Sequence, residues 1–270
     1  SNLWNLVNLT NLELNFFGEG EIPNEIENLF NLTELLLSNT KLTGDIPPEI
    51  GNLINLTNLR LIQNRLTGDI PPEIGNLINL NDLRLKQNQL GCYDFDYECD
   101  PWGFNVDCCL THCEETDLCS SEIPPEIWDL DSLNYLSLKF NQLTGEIPSE
   151  IGDFENIIGL SLSNNQFSGV IPESICNLIE NTSFIYVYEN EFCPPYPDCL
   201  DELHLGYQNT SECINVGDVN QDFEINILDV VTLLNIILYG DDYTEYGDLN
   251  YDGFLNILDV VTLVNFILDN

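Results

Sequence analysis

Two short runs of Asp and Asn near the carboxyl end have the residue types and the spacing that bind a divalent cation. One run, DVNQDFEINILD, begins at Asp218, and the other, DLNYDGFLNILD, begins 30 residues later at Asp248. Side-chain oxygens fall at positions 1, 3, 5, 9 and 12 of each run, which suits the roughly six to eight oxygen ligands of Ca²⁺. We therefore predict two Ca²⁺ sites. Their ligands are Asp218, Asn220, Asp222, Asn226 and Asp229 with the Glu224 carbonyl, and Asp248, Asn250, Asp252, Asn256 and Asp259 with the Phe254 carbonyl.

Each run leads into an apolar stretch that must position it. The stretches LDVVTLLNIIL and LDVVTLVNFIL begin at Leu228 and Leu258 and are predicted to be helices. Helices with sides this apolar need a cover, which is the other helix, the rest of the chain or a partner. Without a cation the crowded carboxylates repel one another, so we expect this segment to loosen.

These paired runs resemble the type I dockerin, a module that docks cellulosomal enzymes onto cohesins. The resemblance covers about residues 214–270 and implies a small all-α domain with two calcium loops. Phe223 stands where a glycine normally makes the turn of the first loop, which implies a weaker or distorted site. Ile-Leu pairs at 227–228 and 257–258 replace the small hydroxyl residues that cohesin-binding members often carry. Cohesin binding is therefore an alternative function here.

A 24-residue repeat occupies most of the chain before these runs. Residues 32–55 read LTELLLSNTKLTGDIPPEIGNLIN and residues 56–79 read LTNLRLIQNRLTGDIPPEIGNLIN. Residues 133–156 and 157–180 keep the same frame. Because no single repeat can bury its apolar face, neighbouring repeats must stack to make one continuous core.

Each part of the repeat has a physical role. In LxxLxL the leucines alternate along a short strand and point inward. The following Asn, as at Asn64, Asn141 and Asn165, can hydrogen-bond backbone groups and stack into a ladder. LxGxIP turns the chain, because Gly permits tight geometry and Pro removes a backbone donor. The IxxL that follows supplies a second apolar edge on the convex side.

The 24-residue frame with its GxIPxxI stretch resembles the plant-type leucine-rich repeat, as in receptor-like ectodomains. The resemblance implies an α/β repeat solenoid with a curved parallel sheet on its concave face. We expect this solenoid over residues 1–200, with a disulfide-rich insertion at 91–121. A cap or linker over 201–215 and the dockerin-like calcium-binding domain over 216–270 complete the predicted chain.

Ten cysteines with no CxxC pair or Cys/His metal spacing predict disulfides and an oxidising compartment. The insertion holds Cys92, Cys99, Cys108, Cys109, Cys113 and Cys119, and the end of the repeats holds Cys176, Cys193, Cys199 and Cys213. Six cysteines allow fifteen pairings, so the connectivity stays open. We expect the insertion to project as a knot of its own, either a stapled ornament or a partner-specific binding element. The second cluster is expected to close a C-terminal cap.

All six basic residues fall in or beside the predicted strands. Arg60 and Arg84 share an outward strand position, Lys86 and Lys139 share the position two residues later, and Lys41 and Arg65 follow at the turn. Outward strand positions face the concave side, so we predict a basic stripe there that aromatic residues extend. The predicted ligand-binding residues are Arg60, Arg84, Lys86, Lys139, Tyr135, Phe140, Tyr186 and Tyr188.

Two interpretations of this stripe stay open. It neutralises neighbouring acids such as Glu34 and Asp82, or it binds a ligand. The ligand would be an acidic peptide, a glycan or the acidic tail of another copy.

The composition excludes several functions. A formal charge of −40 repels DNA, RNA and anionic membranes, and no apolar run reaches the ~20 residues of a membrane span. The two histidines, His112 and His204, have no nucleophile at a meaningful spacing, and the abundant carboxylate pairs are uninformative. We therefore predict a protein that is not an enzyme.

Sequons point to a secreted or cell-surface glycoprotein. They lie at Asn8, Asn31, Asn55, Asn181 and Asn209. No signal peptide is present, so we expect the sequence to begin after processing. Residues 3–8 align with residues 50–55, and we expect an uncapped amino edge within a repeat.

Three functions follow from these patterns. The favoured one is extracellular, calcium-stabilised protein–protein association, in which complementary surfaces join copies head to tail into a filament or matrix. The second is a recognition module that binds an acidic peptide or glycan on its concave face. The third is a cellulosome-like component whose tail binds a cohesin.

Overall fold

The computed structural model describes residues 3–16, 19–95, 109–113, 119–211, 213, 217–222, 224–240, 245–250 and 254–269. The chain forms two units, Ser1–Thr210 and Ser211–Asn270. The first unit is built of stacked repeats, and the second contains two helices that follow the Asp/Asn runs. The boundary between the units lies inside the segment 201–215, which the sequence predicts as a cap or linker.

Short strands, most of them from the LxxLxL segments, build the first unit. In chain order they are β1 (Asn11–Asn15), β2 (Glu34–Ser38), β3 (Thr43–Asp45), β4 (Asn58–Arg60), β5 (Arg65–Thr67), β6 (Asp82–Arg84), β7 (Cys92–Phe95), β8 (Cys109–His112), β9 (Tyr135–Ser137), β10 (Gly159–Ser161) and β11 (Phe184–Tyr186). Strands β1, β2, β4, β6, β9, β10 and β11 form one parallel sheet in this order. Equivalent residues pair, as Leu59 does with Leu83 and Leu83 with Leu136. The predicted parallel sheet of a repeat solenoid is confirmed.

The chain segments between the strands of the main sheet contain regular secondary structure and not only turns. Strands β3 and β5 pair in parallel as a second, two-stranded sheet, where the sequence predicted only a change of direction. The repeats also contain short 3₁₀ helices. They lie at Leu3–Asn5, Asn24–Leu29, Pro48–Asn52, Pro72–Asn76, Pro125–Ile127, Ser149–Asp153 and Glu173–Leu178. Proline suits the first residue of such a helix, because the N–H that it lacks would have no partner inside the helix.

One apolar core runs through the first unit. Leu35, Leu59, Leu83 and Leu136 occupy the same inward strand position in successive repeats and are fully buried. The isoleucine of each IxxL segment, as at Ile50, closes the core from the other side. Burying a leucine or isoleucine stabilises a fold by roughly 1.5–3 kcal/mol, so stacking supplies most of the stability.

Buried asparagines form the predicted ladder. Asn165 Nδ2 donates to the Leu162 carbonyl in its own repeat (3.0 Å) and to the Leu138 carbonyl of the preceding repeat (3.1 Å). Its Oδ1 accepts the Leu143 N–H of the preceding repeat (3.2 Å). The same arrangement recurs at Asn64, Asn88, Asn141 and Asn190. The ladder therefore extends further than the three positions that the sequence singled out.

The insertion is anchored to the repeats at both described ends. Strands β7 and β8 form an antiparallel hairpin, which the Cys92–Cys109 disulfide joins. The Gly91 N–H donates to the Gly68 carbonyl (2.9 Å), and the Cys113 N–H donates to the Gly91 carbonyl (3.0 Å). The backbone groups of these ends continue the hydrogen bonding of the solenoid, and the projection of the insertion as a knot of its own stays a prediction. Cys99 and Cys108 lie outside the described residues.

The remaining disulfides fix the two cysteine clusters. Cys113 pairs with Cys119, Cys176 pairs with Cys199, and Cys193 and Cys213 are also disulfide-bonded. A disulfide typically stabilises a fold by about 2–4 kcal/mol. The Cys176–Cys199 bond ties the segment after the repeats to the last 3₁₀ turn, as a cap requires.

A glutamine ends the asparagine ladder after the last repeat. The helix α1 (Glu202–Leu205) covers the last repeat, and Gln208 follows it. Gln208 Nε2 donates to the Val187 carbonyl (3.0 Å) and to the Leu205 carbonyl (2.7 Å). These bonds satisfy backbone groups that a further repeat would otherwise bind.

The second unit contains α2 (Ile227–Tyr239), a 3₁₀ turn (Glu245–Gly247) and α3 (Ile257–Asp269). Leu233 and Leu263, which are 30 residues apart in the sequence, are fully buried between the two helices. The helices therefore cover each other, which is one of the three covers that their apolar sides allow.

We expect Asn165→Ala to lower the free energy of unfolding by about 2–4 kcal/mol, because it leaves buried backbone groups of two repeats without partners. Urea denaturation at a fixed Ca²⁺ concentration measures the change.

Asn156→Ala is the matched control. Asn156 is exposed and its Nδ2 donates a single bond, to the Asp131 carbonyl (2.9 Å), so we expect a loss below about 1 kcal/mol. Equal losses in the two variants would contradict a stabilising role of the buried ladder.

Candidate functional site

The strand register brings the predicted basic residues of the concave face together. Arg60 pairs directly with Arg84 in the sheet. The Gln87 N–H donates to the Lys139 carbonyl (2.9 Å), which places Lys86 and Lys139 on neighbouring chain segments. These side chains point away from the core, since the alternate residues of their strands are the buried leucines.

Asp82 forms ion pairs with both arginines. Its buried carboxylate lies 2.6 Å from Arg60 Nη2 and 2.7 Å from Arg84 Nε. Glu34, the other acid considered as a partner, accepts instead from the Asn11 amide (2.6 Å). The single negative charge of Asp82 therefore offsets only part of the positive charge of the two arginines.

The two lysines are in a different situation. Among the described residues, no carboxylate lies within 4.0 Å of Lys86 or Lys139, and Lys139 Nζ lies 5.4 Å from the Phe140 ring centroid. Burial, followed by the positive charges of Lys139, Arg84 and Arg60, lowers the pKa of Lys86 from 10.5. An anion placed beside these amines would relieve their mutual repulsion.

A cavity of about 160 Å³ lies between the lysines and a group of aromatic rings. We call it the basic–aromatic pocket; its lining includes Arg84, Lys86, Tyr135, Lys139, Phe184 and Tyr186. The Arg84 guanidinium carbon lies 5.1 Å from the Tyr135 ring centroid, and the Phe184 and Tyr186 rings stack with centroids 5.3 Å apart. The pocket thus offers two uncompensated ammonium groups and flat apolar surfaces.

The sequence identified most of this pocket but not Phe184. Phe184 pairs with Gly159, and its ring fills the space that a side chain at position 159 would need. Aligning the decayed last repeat by its strand would have placed Phe184 in an outward position. The predicted ligand residues Arg60, Phe140 and Tyr188 lie outside the lining of this pocket.

Carboxylates of the first predicted calcium loop converge. Oxygen atoms of Asp218, Asp222 and Asp229 lie within 4.8 Å of one another, and Asp218 and Asp229 are buried. Asp229 accepts the Asn220 N–H (3.1 Å) and the Asn226 N–H (2.8 Å). These bonds hold the loop closed around its acids.

The second loop repeats this arrangement. Asp248 and Asp259 are buried, and Asp259 accepts the Asn250 N–H (3.3 Å) and the Asn256 N–H (2.9 Å). Asp252, a predicted ligand, lies outside the described residues, as does Phe223 of the first loop.

Some predicted ligands also serve the backbone. Asn226 Oδ1 accepts the Leu228 N–H (2.8 Å) and Asn256 Oδ1 accepts the Leu258 N–H (2.9 Å), so each Asn caps a helix. Coordination by these side chains and by the carbonyls of Glu224 and Phe254 stays a prediction.

The residues present fit a calcium ion. Residues 211–270 contain no Lys, Arg or His, so a metal cation is the counter-charge that suits the buried acids. An all-oxygen donor set favours Ca²⁺ over a transition metal.

The sequons differ in what their side chains do. Asn31 Nδ2 donates to the Val7 carbonyl (2.7 Å) and Asn55 Nδ2 to the Phe30 carbonyl (2.9 Å), so both amides link neighbouring repeats. Asn8 and Asn181 are exposed, and Asn209 is half-buried. Glycosylation at each of the five stays a prediction.

The other basic residues lie away from the pocket lining. Lys41 Nζ lies 3.7 Å from the Glu19 carboxylate, Arg65 begins β5, and His204 Nδ1 accepts the Asp201 N–H (3.2 Å) at the start of α1. His112 is half-buried at the end of β8.

We expect Asp222→Asn to weaken Ca²⁺ binding at the first loop at least about tenfold, because it removes one negative charge from a ligand. The loop itself should persist, since an Asn side chain can still accept the Glu224 N–H that Asp222 accepts at 3.0 Å. Calorimetric titration of the full chain with Ca²⁺ measures the affinity.

Asp153→Asn, at an exposed carboxylate in the repeats, is the control and should leave the titration unchanged. A titration of Asp222→Asn that matches the unsubstituted chain would contradict the first site.

We also expect the backbone amides of α2 to exchange their hydrogens faster in EDTA than in Ca²⁺.

Family models match two parts of the chain. The Leucine Rich Repeat family matches residues 31–53, 55–77, 132–154 and 156–178, and the Dockerin type I domain matches residues 216–268. No curated protein matches the chain significantly. Both families are non-enzymatic binding modules. No helix within the described ranges is long and apolar enough to cross a membrane.

Solved plant structures resemble the chain. The GASSHO1/SCHENGEN3 ectodomain of Arabidopsis thaliana, in complex with CASPARIAN STRIP INTEGRITY FACTOR 2, is 30% identical with a TM-score of 0.57, covering 70% of this chain and 19% of that chain. The ectodomain of the Arabidopsis receptor kinase HAESA, in complex with an IDA peptide hormone, is 32% identical with a TM-score of 0.57. The match covers 71% of this chain and 27% of that chain. A plant ice-binding protein is 26% identical with a TM-score of 0.50, and the match covers 68% of this chain and 49% of that chain.

This chain spans less than half the length of each of these structures. Its disulfides and its ectodomain neighbours agree with an extracellular protein. The two matched families support a protein–protein interaction module. The matched repeats, the plant receptor neighbours and the match at 216–268 together identify a plant-type leucine-rich-repeat protein with a dockerin-like tail.

Proposed function

We propose that this chain is a secreted, non-enzymatic recognition protein that binds an acidic segment of a partner protein in the basic–aromatic pocket. The observation that carries the proposal is the pair Lys86 and Lys139, which no described carboxylate neutralises, beside the rings of Tyr135 and Tyr186. The calcium-stabilised tail supplies a second point of attachment.

The charge of the whole chain limits the ligand. A body with a formal charge of −40 repels a long polyanion, whereas the pocket attracts one or two carboxylates at short range. Screening reduces the repulsion beyond about 10 Å at 0.1 M salt. A short acidic segment with an aromatic or apolar neighbour satisfies both conditions, since its carboxylates meet the amines and its apolar part meets the rings.

Two similar proteins support a polypeptide ligand. The HAESA ectodomain is bound to a peptide hormone, and the GASSHO1/SCHENGEN3 ectodomain is in complex with CASPARIAN STRIP INTEGRITY FACTOR 2. This chain is built of the same kind of repeat, but the acidic preference follows from its own lysines.

The tail exposes apolar residues at the start of each of its two helices. The pairs Ile227–Leu228 and Ile257–Leu258 begin the two helices, and all four side chains are more than half exposed. Large exposed apolar patches commonly mark interaction sites. The dockerin match makes a cohesin the partner to test, although these apolar pairs differ from the small hydroxyl residues that are common in cohesin-binding members.

We expect the double substitution Lys86→Ala with Lys139→Ala to weaken binding of an acidic peptide by up to about thirtyfold, because two lost pairings of up to about 1 kcal/mol each amount to about 2 kcal/mol. The probe is fluorescein-labelled Glu-Asp-Tyr-Asp-Glu, measured by fluorescence anisotropy at low and high salt. Gln-Asn-Tyr-Asn-Gln is the neutral control peptide.

Lys41→Ala is the control variant, since Lys41 is exposed and pairs with Glu19 away from the pocket lining. It should leave the affinity unchanged. Equal affinity for the acidic and neutral peptides would overturn the proposal.

The same binding should weaken as the pH rises from 7 toward 10. Burial and neighbouring positive charge lower the pKa of Lys86 below 10.5. Its amine therefore loses its proton at a lower pH than an ordinary lysine does. Since only the charged form attracts a carboxylate, affinity is full below the lowered pKa and falls as the pH rises through it. Lys86→Arg, which stays charged, should flatten this dependence.

Head-to-tail assembly is the second candidate function. Residues 211–270 carry acidic residues and no basic ones, which suits the basic–aromatic pocket of another copy. Contact between two different surfaces produces an open chain unless the geometry closes into a ring.

We expect calcium-dependent oligomers or filaments if copies associate in this way. Light scattering and negative-stain imaging with millimolar Ca²⁺, and again with EDTA, give the measurement. The Lys86→Ala, Lys139→Ala variant should stay monomeric in Ca²⁺. A monomer of the unsubstituted chain in both conditions would exclude self-assembly and leave peptide recognition standing.

A further inference from the structure

A second and larger cavity, of about 630 Å³, lies where the strands of the main sheet end, beside the end of β8. We call it the amide groove; His112, Phe140, Gln142, Asn164, Gln166 and Tyr207 line it. Its volume falls within the range of about 300–1,000 Å³ that is common for small-molecule sites. None of these six residues lines the basic–aromatic pocket, so the groove is a separate site.

Amide side chains form a row along the groove. Gln166 Nε2 donates to Gln142 Oε1 (2.9 Å), and Gln142 Nε2 donates to Gln89 Oε1 (3.3 Å). Each amide has two N–H donors and two acceptor lone pairs, so Gln166, which lines the groove and is half-buried, keeps capacity for a ligand. A group that both donates and accepts, such as a hydroxyl, matches this surface.

Two buried polar atoms of lining residues have no hydrogen-bond partner within the described part of the chain. They are His112 Nδ1 and Asn164 Oδ1. Leaving a buried donor or acceptor unsatisfied costs about 1–3 kcal/mol. Both atoms are closed off from solvent, so a sugar hydroxyl would pair with either one only after its side chain turns toward the groove.

The charge of the groove selects against acidic ligands. Glu189 and Glu191 also line it, and the described part of its lining contains neither Lys nor Arg. Carboxylates repel anions but accept hydrogen bonds from hydroxyls, so a neutral ligand fits best.

We propose that the amide groove binds a neutral oligosaccharide. Amides and carboxylates bond the sugar hydroxyls, and the rings of Phe140 and Tyr207 meet the apolar faces of the sugar units. Tyr207 is 65% exposed, which leaves its ring available to a ligand at the rim. This inference does not rest on the proposed peptide recognition.

The test is calorimetric titration of the full chain in Ca²⁺ with neutral hexasaccharides of β-linked glucose, xylose or mannose. Hexagalacturonate is the acidic control sugar and a glucosamine hexamer the cationic one. We expect at least one neutral hexasaccharide to bind and hexagalacturonate not to bind. Tyr207→Ala should weaken binding on the order of tenfold, since it removes a stacking surface, and Tyr207→Phe should bind within about twofold of the unsubstituted chain.

Two further controls separate this site from others. Tyr93→Ala, at an exposed tyrosine outside the groove lining, and Lys41→Ala, at an exposed lysine outside it, should bind the neutral sugar normally. Circular dichroism confirms that each variant folds. The proposal is overturned if none of the three neutral sugars binds at millimolar concentration, if only the glucosamine hexamer binds, or if Tyr207→Ala binds as tightly as the unsubstituted chain.

Discussion

The stacking of equivalent leucines between neighbouring repeats is the constraint on which the first unit depends. A repeat has one apolar face and too few residues to fold over it, so only the next repeat can bury it. This fixes the strand register, as between Leu59 and Leu83. The register in turn lines up outward residues in rows, so concave binding surfaces arise from the same spacing that builds the core.

The sequence predicted the elements whose spacing expresses this constraint. The strands, the asparagine ladder and the paired helices of the tail all follow from positions 24 or 30 residues apart. The two-stranded sheet of β3 and β5 was not predicted, because these strands lie in or beside the LxGxIP stretch, whose Gly and Pro indicate a turn. The hairpin ends of the insertion were also missed, since no repeat frame covers them and cysteine spacing does not determine pairing.

The binding surfaces were predictable only in part. Periodicity placed Lys86 and Lys139 side by side, but the ion pairs of both arginines with Asp82 depend on side-chain orientation, which a sequence pattern does not give. Phe184 escaped notice because its repeat has decayed. The amide groove was missed for another reason: it combines His112 of the insertion with Tyr207, far along the chain. Such a site exists only after folding.

The pairing of β6 with β9 shows how little the solenoid depends on an unbroken backbone. Leu83 pairs with Leu136, more than two repeat lengths away, in the same register as every other step. Closing a loop twice as long costs only about 0.6 kcal/mol more, so the insertion is a small burden on folding. The Cys92–Cys109 disulfide lies within this interval. A peptide bond cut anywhere between these cysteines would therefore leave one covalent molecule, with both halves still sharing a single sheet.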